Sequence, residues 1–193
     1  MKAIGVYCGS SLGQNPLYEA AAQEMGLVLA RRGLTLVYGG GRFGLMGRLA
    51  DSVLFNGGKV IGVIPEGLRQ KEVFHEKLTE LHVVQTMHER KAVMASRSDA
   101  FIALPGGFGT LDEMMEMITW NQLGLQAKPL GFLNVAGFYD PLFQFLNRAQ
   151  TEGFIHAGSL ASLALEKNPE TLVGILQTLS PFSAPWPVIP ESP

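Results

Sequence analysis

Short apolar runs alternate with helical segments along this chain, and that alternation constrains its fold more than any other feature. The runs have the length and composition of buried parallel strands. They lie at residues 2–8, 34–38, 59–64, 81–85, 100–104, 130–134 and 163–165. Strands that alternate with helices are joined by right-handed crossovers into a parallel sheet. The sequence therefore predicts an α/β fold, a Rossmann-like doubly wound parallel sheet of six or seven strands with helices on both faces.

A single Rossmann-like nucleotide-binding domain is expected to account for residues 1–180. The chain has 193 residues, 47% of them hydrophobic, which is enough for a full core. Two asparagine–proline pairs, which begin at Asn15 and Asn168, have the N-cap and N1 pattern of a helix start. Residues 181–193 are rich in proline, and we expect this tail to be extended and poorly ordered.

Composition and charge argue against several classes of protein. No apolar run approaches the ~18–20 uncharged residues of a transmembrane helix, and the N-terminus enters a strand without the pattern of a signal peptide. The net charge of −2 and the isoelectric point near 6.1 argue against general binding to nucleic acid or to a membrane surface. Cys8 is the only cysteine, so no intramolecular disulfide can form, which suits a reducing cytoplasm.

The stretch LPGGFGTLDE, residues 104–113, joins a predicted strand to a predicted helix. Its three glycines allow the backbone to approach a ligand closely and to adopt positive φ where a turn requires it. The helix is expected to begin at Thr110 and to run to about Leu123. Backbone amides and the positive end of the helix dipole then meet at one point, which suits a phosphate. Glu113, in the first helical turn, places a carboxylate beside that point.

Thr110 and Glu113 also match a capping box, in which each side chain bonds a backbone amide at the helix start. The capping role and a catalytic role are compatible, and a cap alone does not require the three glycines. A carboxylate at a helix N-terminus is expected to keep a low pKa and to stay ionised. It therefore suits a base or a group that stabilises a cation better than a general acid.

Polar or glycine-rich segments follow several of the predicted strands. Because the carboxyl ends of parallel strands meet at one edge of a sheet, we expect these segments to form one site there. Arg90 and Lys91 are notable because cations oppose the dipole at a helix start. They form either a solvated helix end or a functional group in which Arg90 holds a phosphate or positions Glu113. Asp112 and Glu116 are expected on a solvated face. The segments are residues 9–11, 39–44, 65–66, 88–91 and 106–110.

Other chemistries have weaker support. Residues 39–44 match the G-x-G-x-x-G dinucleotide fingerprint, but they follow the second strand and lack the acidic residue about twenty positions later. No P-loop and no Gly-x-Ser-x-Gly elbow occurs. The four histidines show no metal-ligand spacing, so we expect no metal and no cofactor. Cys8, at a strand end, is expected to be a small buried residue rather than a nucleophile.

Four motifs stand in this chain: PGGFGTLDE (residues 105–113), MHERK (residues 87–91), GGGRFGLMG (residues 39–47) and CGSS (residues 8–11). Together they resemble the LONELY GUY family of cytokinin-activating phosphoribohydrolases. PGGFGTLDE is similar to the family's PGGxGTxxE signature and MHERK to its second motif, and the similarity extends to about residue 155. Members have often been labelled lysine decarboxylases, but no lysine here stands out as an anchor for pyridoxal phosphate.

The resemblance implies hydrolysis of the N-glycosidic bond of an N6-substituted adenosine 5′-monophosphate, which releases the free base and ribose 5-phosphate. It also implies a homodimer, for which the apolar residues 114–120 or 138–145 are available. Arg90 and Glu113 match the family's essential catalytic pair. Its nucleotide-contacting positions match Glu72, Lys91, Gly107, Phe108, Gly109, Thr110, Leu111, Asp112 and Thr119, and the loop amides would hold the 5′-phosphate together with Ser10, Ser11 and Gly106.

The chemistry of the residues agrees with this implied reaction. Positive charge develops on the ribose as the glycosidic bond breaks, and an ionised carboxylate stabilises it or activates water. Arg90 would orient Glu113 or the phosphate through its planar guanidinium. Two alternatives remain: a non-catalytic carrier of a phosphorylated cofactor, similar to the molybdenum-cofactor carriers, and a plain AMP nucleosidase. A pure carrier has no evident need for an Arg90–Glu113 pair.

Overall fold

The computed structural model describes residues 1–69, 74–156 and 158–180. Within these ranges seven strands alternate with seven α-helices. The strands are β1 (Ala3–Tyr7), β2 (Thr35–Tyr38), β3 (Val60–Pro65), β4 (Glu80–Val84), β5 (Ala100–Ala103), β6 (Leu130–Leu133) and β7 (Leu163–Glu166). The helices are α1 (Pro16–Arg31), α2 (Gly44–Phe55), α3 (Glu66–Arg69), α4 (Met87–Arg97), α5 (Phe108–Gln122), α6 (Asp140–Thr151) and α7 (Pro169–Thr178).

All seven strands form one parallel sheet in the order β4-β3-β2-β1-β5-β6-β7. The predicted doubly wound, Rossmann-like sheet is confirmed. The chain winds outward from β1 in one direction up to β4, returns through α4, and winds in the other direction from β5. The strand order therefore reverses between β1 and β5, and a crevice opens beyond the carboxyl ends of these two strands.

Helices cover both faces of the sheet. The alternating side chains of β1 show the division, since Val6 contributes to the core under α1, α2 and α7, whereas Tyr7 contributes to the core under α4, α5 and α6. Met25 of α1 lies in the first core, and Met94 of α4 and Met114 of α5 lie in the second. Strands buried on both faces require the continuous apolar runs seen in the sequence. Within the described ranges, no helix is long and apolar enough to span a membrane.

The two predicted helix starts are confirmed. The side chain of Asn15 accepts a hydrogen bond from the amide of Leu17 at 3.0 Å, and Asn168 does the same for the amide of Thr171 at 3.0 Å. In both cases proline follows at the first helical position. Each cap contributes about 1 kcal/mol to helix stability.

Residues 66–69 form the short helix α3, an element that the sequence pattern does not indicate. Glu72 and the tail of residues 181–193 lie outside the described residues, so the predictions made for them stay predictions.

Candidate active site

A pocket of about 500 Å³ opens at the carboxyl ends of the central strands. The loops that follow β1, β2 and β5 meet there with the first turns of α4 and α5, as expected for segments that leave one edge of a parallel sheet. A volume of this size suits a small-molecule ligand. The residues that line it include Cys8, Gly9, Ser10, Gly39, Gly41, Phe43, Met87, Arg90, Gly107, Phe108, Gly109, Thr110, Asp112 and Glu113.

Helix α5 begins at Phe108, two residues earlier than the sequence predicted. Gly107 is its N-cap, and no side chain among the described residues caps it. The first turn is closed instead by the backbone, since the amide of Leu111 donates to the carbonyl of Gly107 at 3.1 Å. Thr110 is buried within that turn, and Glu113 lies one turn further on. The capping-box interpretation of Thr110 and Glu113 was therefore wrong.

The backbone at the start of α5 is open toward the pocket. A side-chain Cβ built at Gly107 or Gly109 would meet no described atom within 4 Å, whereas one at Gly106 would overlap Thr110. Phe108, between the two open glycines, is 94% exposed. The first amides of a helix have no carbonyl partner within it. The start of α5 thus presents amide donors and the positive end of the helix dipole to the pocket.

Arg90 of α4 and Glu113 of α5 form a buried ion pair in the pocket wall. Each residue is 8% exposed. The Nη1 atom of Arg90 donates to Oε1 of Glu113, and its Nε atom donates to the carbonyl of Val63 at 3.1 Å. The guanidinium is therefore held by α5 on one side and by β3 on another. The interpretation of Arg90 as a solvated helix end was wrong.

Burial raises the pKa of Glu113 above its ordinary value, and the charge of Arg90 offsets that effect only in part. The expected low pKa of Glu113 was wrong for two reasons. Glu113 is one turn beyond the helix start, so the dipole acts on it weakly, because the dipole effect falls off within the first turn. The packing of α4 against α5 also removes the carboxyl from water, which favours its neutral form.

A family model described as "Possible lysine decarboxylase" matches residues 46–176. The "Cytokinin riboside 5'-monophosphate phosphoribohydrolase LOG7" of Arabidopsis thaliana is 47% identical over 180 residues, which is 93% of this chain and 83% of that protein. The "Cytokinin riboside 5'-monophosphate phosphoribohydrolase LOG" of Oryza sativa subsp. japonica is 54% identical over 154 residues, or 80% of this chain and 64% of that one. This chain belongs to the LONELY GUY family. The resemblance drawn from the four motifs is confirmed.

A solved structure also shares the fold. The molybdenum cofactor binding protein of Rippkaea orientalis superposes with a TM-score of 0.70 at 21% identity, over 92% of this chain and 96% of that chain. At this level of identity the likeness concerns the fold alone.

Lys91, which the resemblance predicted to contact the nucleotide, forms ion pairs within the protein. Its Nζ atom lies 2.8 Å from Oδ2 of Asp112 and 3.1 Å from Oε2 of Glu116. Burial lowers the pKa of Lys91, but the two carboxylates outweigh it and the net pKa is raised. Asp112 is exposed, but both carboxylates form ion pairs with Lys91, so the expected solvated face describes their surroundings only in part. These bonds join α4 to α5 beside the Arg90–Glu113 pair.

The remaining predicted site residues are distributed unevenly. Ser10 lines the pocket, whereas Ser11, Gly106, Lys91 and Leu111 are not among the described residues that line it. Thr119 is exposed on α5, and its hydroxyl donates to the carbonyl of Met115 at 2.8 Å. Thr119 is nine residues beyond Thr110, about 13 Å along the helix, so it does not join the pocket within this chain.

Sequence reasoning missed the apolar part of the site. Phe43, Leu68 and Met87 line the pocket and are 52%, 40% and 46% exposed, and Met46 and Ile64 lie deeper in its wall. Exposed apolar side chains around a pocket mark a binding surface for an apolar group. These apolar residues belong to separate elements of the chain, so no local pattern shows that they come together. The segments 39–44, 65–66 and 88–91 were expected at this edge of the sheet, but for their glycine or polar residues.

Proposed function

We propose that this protein hydrolyses the N-glycosidic bond of a cytokinin riboside 5′-monophosphate and releases the free base and ribose 5-phosphate. The observation that carries the proposal is the buried Arg90–Glu113 pair, which lines the same pocket as the open start of α5, one helical turn away from Glu113. Relatives that are about half identical to this chain and bear that activity in their names support it.

The 5′-phosphate is assigned to the start of α5. The amides of residues 108–110 have no partner within the helix, and Gly107 and Gly109 leave space for phosphate oxygens to approach the backbone. Ser10 lines the same pocket from the loop after β1. A phosphate fixed there holds the ribose against Glu113, which lies one helical turn further along α5. Such positioning lowers the entropic cost of reaction.

Glu113 is assigned the central chemical role. As the bond between C1′ and the base breaks, positive charge develops on the ribose, and the ionised carboxylate stabilises it. Water then bonds to C1′ and gives a proton to Glu113, which balances the proton that the departing base takes up. A raised pKa suits this role, because a base works best when its pKa is near the working pH. Arg90 fixes the orientation of the carboxylate through its bond to Oε1.

The apolar mouth of the pocket is assigned to the base and its N6 substituent. Phe43, Leu68, Met87 and Phe108 offer aromatic and aliphatic contact surface at the opening. An unsubstituted adenine would leave part of this surface exposed to water. The mouth therefore favours an N6-alkylated base over plain AMP.

We also propose that the protein forms a homodimer and is located in the cytoplasm. Within the two segments predicted to form a homodimer interface, Met114 and Met117 are core residues, so Phe145, which is 65% exposed, is the stronger candidate contact. The molecular mass in solution would test this. A free, buried Cys8 agrees with a reducing cytoplasm. The reaction as written requires neither cofactor nor metal, and it involves neither nucleic acid nor membrane.

The decisive experiment compares wild type with Glu113→Gln in the release of free base from AMP and from N6-isopentenyladenosine monophosphate, without added metal. We expect wild type to prefer the isopentenyl substrate, and we expect Glu113→Gln to lower kcat by roughly 10²–10⁴-fold. Glu152→Gln is the matched control, since among the described residues the ion pair of Glu152 is with the exposed Arg148, at 2.7 Å at the end of α6.

Each outcome of that comparison is informative. Equal use of AMP would reduce the proposal to a plain AMP nucleosidase. Normal turnover by a folded Glu113→Gln variant would remove Glu113 from the mechanism. Tight binding of a phosphorylated ligand with no base release from wild type would favour the carrier alternative.

A further inference from the structure

We infer that Gly39 is a positioning residue for Arg90, because its missing side chain leaves the space that the guanidinium occupies. The inference rests on the proposed function, in which Arg90 orients Glu113. The inference extends the candidate site to Gly39, which directly follows β2. Gly39 contributes no chemical group, yet its lack of a side chain determines where Arg90 can lie.

The contacts of Arg90 define this space. Its Nη1 atom donates to Glu113, and its Nε atom donates to the carbonyl of Val63 at 3.1 Å. Its Nη2 atom faces Gly39, where a Cβ would overlap Nη2 and lie 3.3 Å from Cζ. The same Cβ would lie 3.3 Å from Sδ of Met46. A side chain at position 39 therefore pushes the guanidinium away from its two bonds.

Backbone conformation does not explain the glycine at this position. Gly40 and Gly44 have φ values of +75° and +61°, which favour glycine on conformational grounds alone. Gly39 is outside this left-handed region, so alanine can adopt its backbone conformation. The requirement for glycine comes from Arg90, at the far end of a long side chain. Substitution should displace that side chain rather than unfold the loop.

The loop itself cannot easily retreat from an added side chain. The amide of His75 donates to the carbonyl of Gly40 at 2.9 Å, and Phe74 forms an antiparallel bridge with Gly41. The ring of His75 is anchored in turn, since its Nε2 atom lies 3.0 Å from Oδ1 of Asp51 in α2. The next two residues after Gly39 are thus fixed to a neighbouring segment. An added side chain at position 39 is therefore accommodated by displacement of the Arg90 side chain.

A double-mutant cycle tests the inference. Four proteins are compared in kcat, KM and melting temperature: wild type, Gly39→Ala, Arg90→Ala and the double variant. Gly39→Ala should lower kcat by roughly tenfold or more, because a displacement of about 1 Å at a catalytic group can have effects of that size. In the wild-type background, Gly39→Ala should lower the melting temperature. In the Arg90→Ala background it should leave the melting temperature unchanged, because no guanidinium is present for the added Cβ to overlap. Gly174→Ala in α7, where the added Cβ makes only an ordinary contact at 3.8 Å, is the matched control and should keep wild-type kcat.

The outcomes separate this inference from the proposed function. A Gly39→Ala variant with wild-type kcat, or with the same loss of melting temperature in both backgrounds, would overturn the role of Gly39. If wild type releases no base, the proposed function fails, and the stability cycle alone decides whether Gly39 positions Arg90. If Gly39→Ala does not fold, recovery of folding in the double variant supports the inference, and failure of the double variant to fold overturns it.

Discussion

Two glycine-rich loops flank the pocket, and they use glycine for opposite purposes. In residues 39–44 the spaces left by glycine are filled by the protein, since Arg90 occupies the space beside Gly39 and the backbone of Ser10 that beside Gly44. At the start of α5 the space beside Gly107 holds no described atom within 4 Å. Both loops follow strands of the same sheet and look alike in sequence. Glycine in the first loop permits packing, and in the second it leaves access for a ligand.

The largest predicted effect is the loss of stability that follows substitution of Gly44. A Cβ at this position would overlap backbone atoms of Ser10 and Ser11, and its φ of +61° is unfavourable for alanine. Gly44→Ala should lower the free energy of unfolding by about 2–4 kcal/mol. Denaturant titration of wild type and Gly44→Ala measures this loss. A loss below about 0.5 kcal/mol would mean that the loop after β1 moves freely away from α2, and the contrast between the two loops would weaken.

Gly109→Ala should behave in the opposite way. Its Cβ meets no described atom within 4 Å, and alanine favours a helix over glycine by about 1 kcal/mol, so stability should stay equal or rise. The added methyl group hinders the approach of phosphate to the first amides of α5. We expect KM for the nucleotide to rise roughly tenfold, as for the loss of one hydrogen bond to a charged group.

The inhibition constant of ribose 5-phosphate provides a second measurement for Gly109→Ala, and it should rise by a similar factor. Unchanged binding of both substrate and product would mean that the phosphate does not bind at the start of α5. The assignment of the open loop as the anion site would then be wrong.

These two loops also show how far sequence reasoning reaches. The sheet and the caps at Asn15 and Asn168 were predictable because periodicity and capping are local properties. The start of α5 was misplaced at Thr110, because Gly107, the N-cap, has no side chain that could signal the helix start at Phe108. The raised pKa of Glu113 was missed for a different reason. It results from the packing of α4 on α5, between residues 23 positions apart in sequence, and no local pattern records such burial.

The partners of Lys91 were unpredictable for the same reason. The resemblance implied that Lys91 contacts the nucleotide, yet its ammonium forms ion pairs with Asp112 and Glu116 on the facing helix. Family resemblance identified the residue, but only the packing of two helices determines what it contacts. The apolar pocket mouth is a further example, because Phe43, the N-cap of α2, and Met87, the first residue of α4, come together from separate parts of the chain.

The smallest predicted effect is the change in stability with pH that the Arg90–Glu113 pair causes. This pair connects the two loops, because Arg90 fills the space beside Gly39 and Glu113 lies in the helix that begins after Gly107. Burial raises the pKa of Glu113, and Arg90 opposes that rise. Below the ordinary glutamate pKa, about 4.3, the carboxyl is protonated in both the folded and the unfolded chain. As pH increases, the unfolded chain loses its proton first, which favours unfolding until the pH exceeds the pKa of the folded state.

The contribution of Glu113 to stability is therefore fully present at low pH and is lost as pH rises through its folded pKa. Glu113→Gln lacks this titration, so the free energy of unfolding of wild type minus that of Glu113→Gln should fall with rising pH and then level off. Denaturant titrations of both proteins between pH 4 and pH 8 measure the difference, with Glu152→Gln as the control. A difference that grows with pH would mean that Arg90 outweighs burial, and Glu113 would then be a fully ionised partner of Arg90 rather than a base whose pKa is brought toward the working pH.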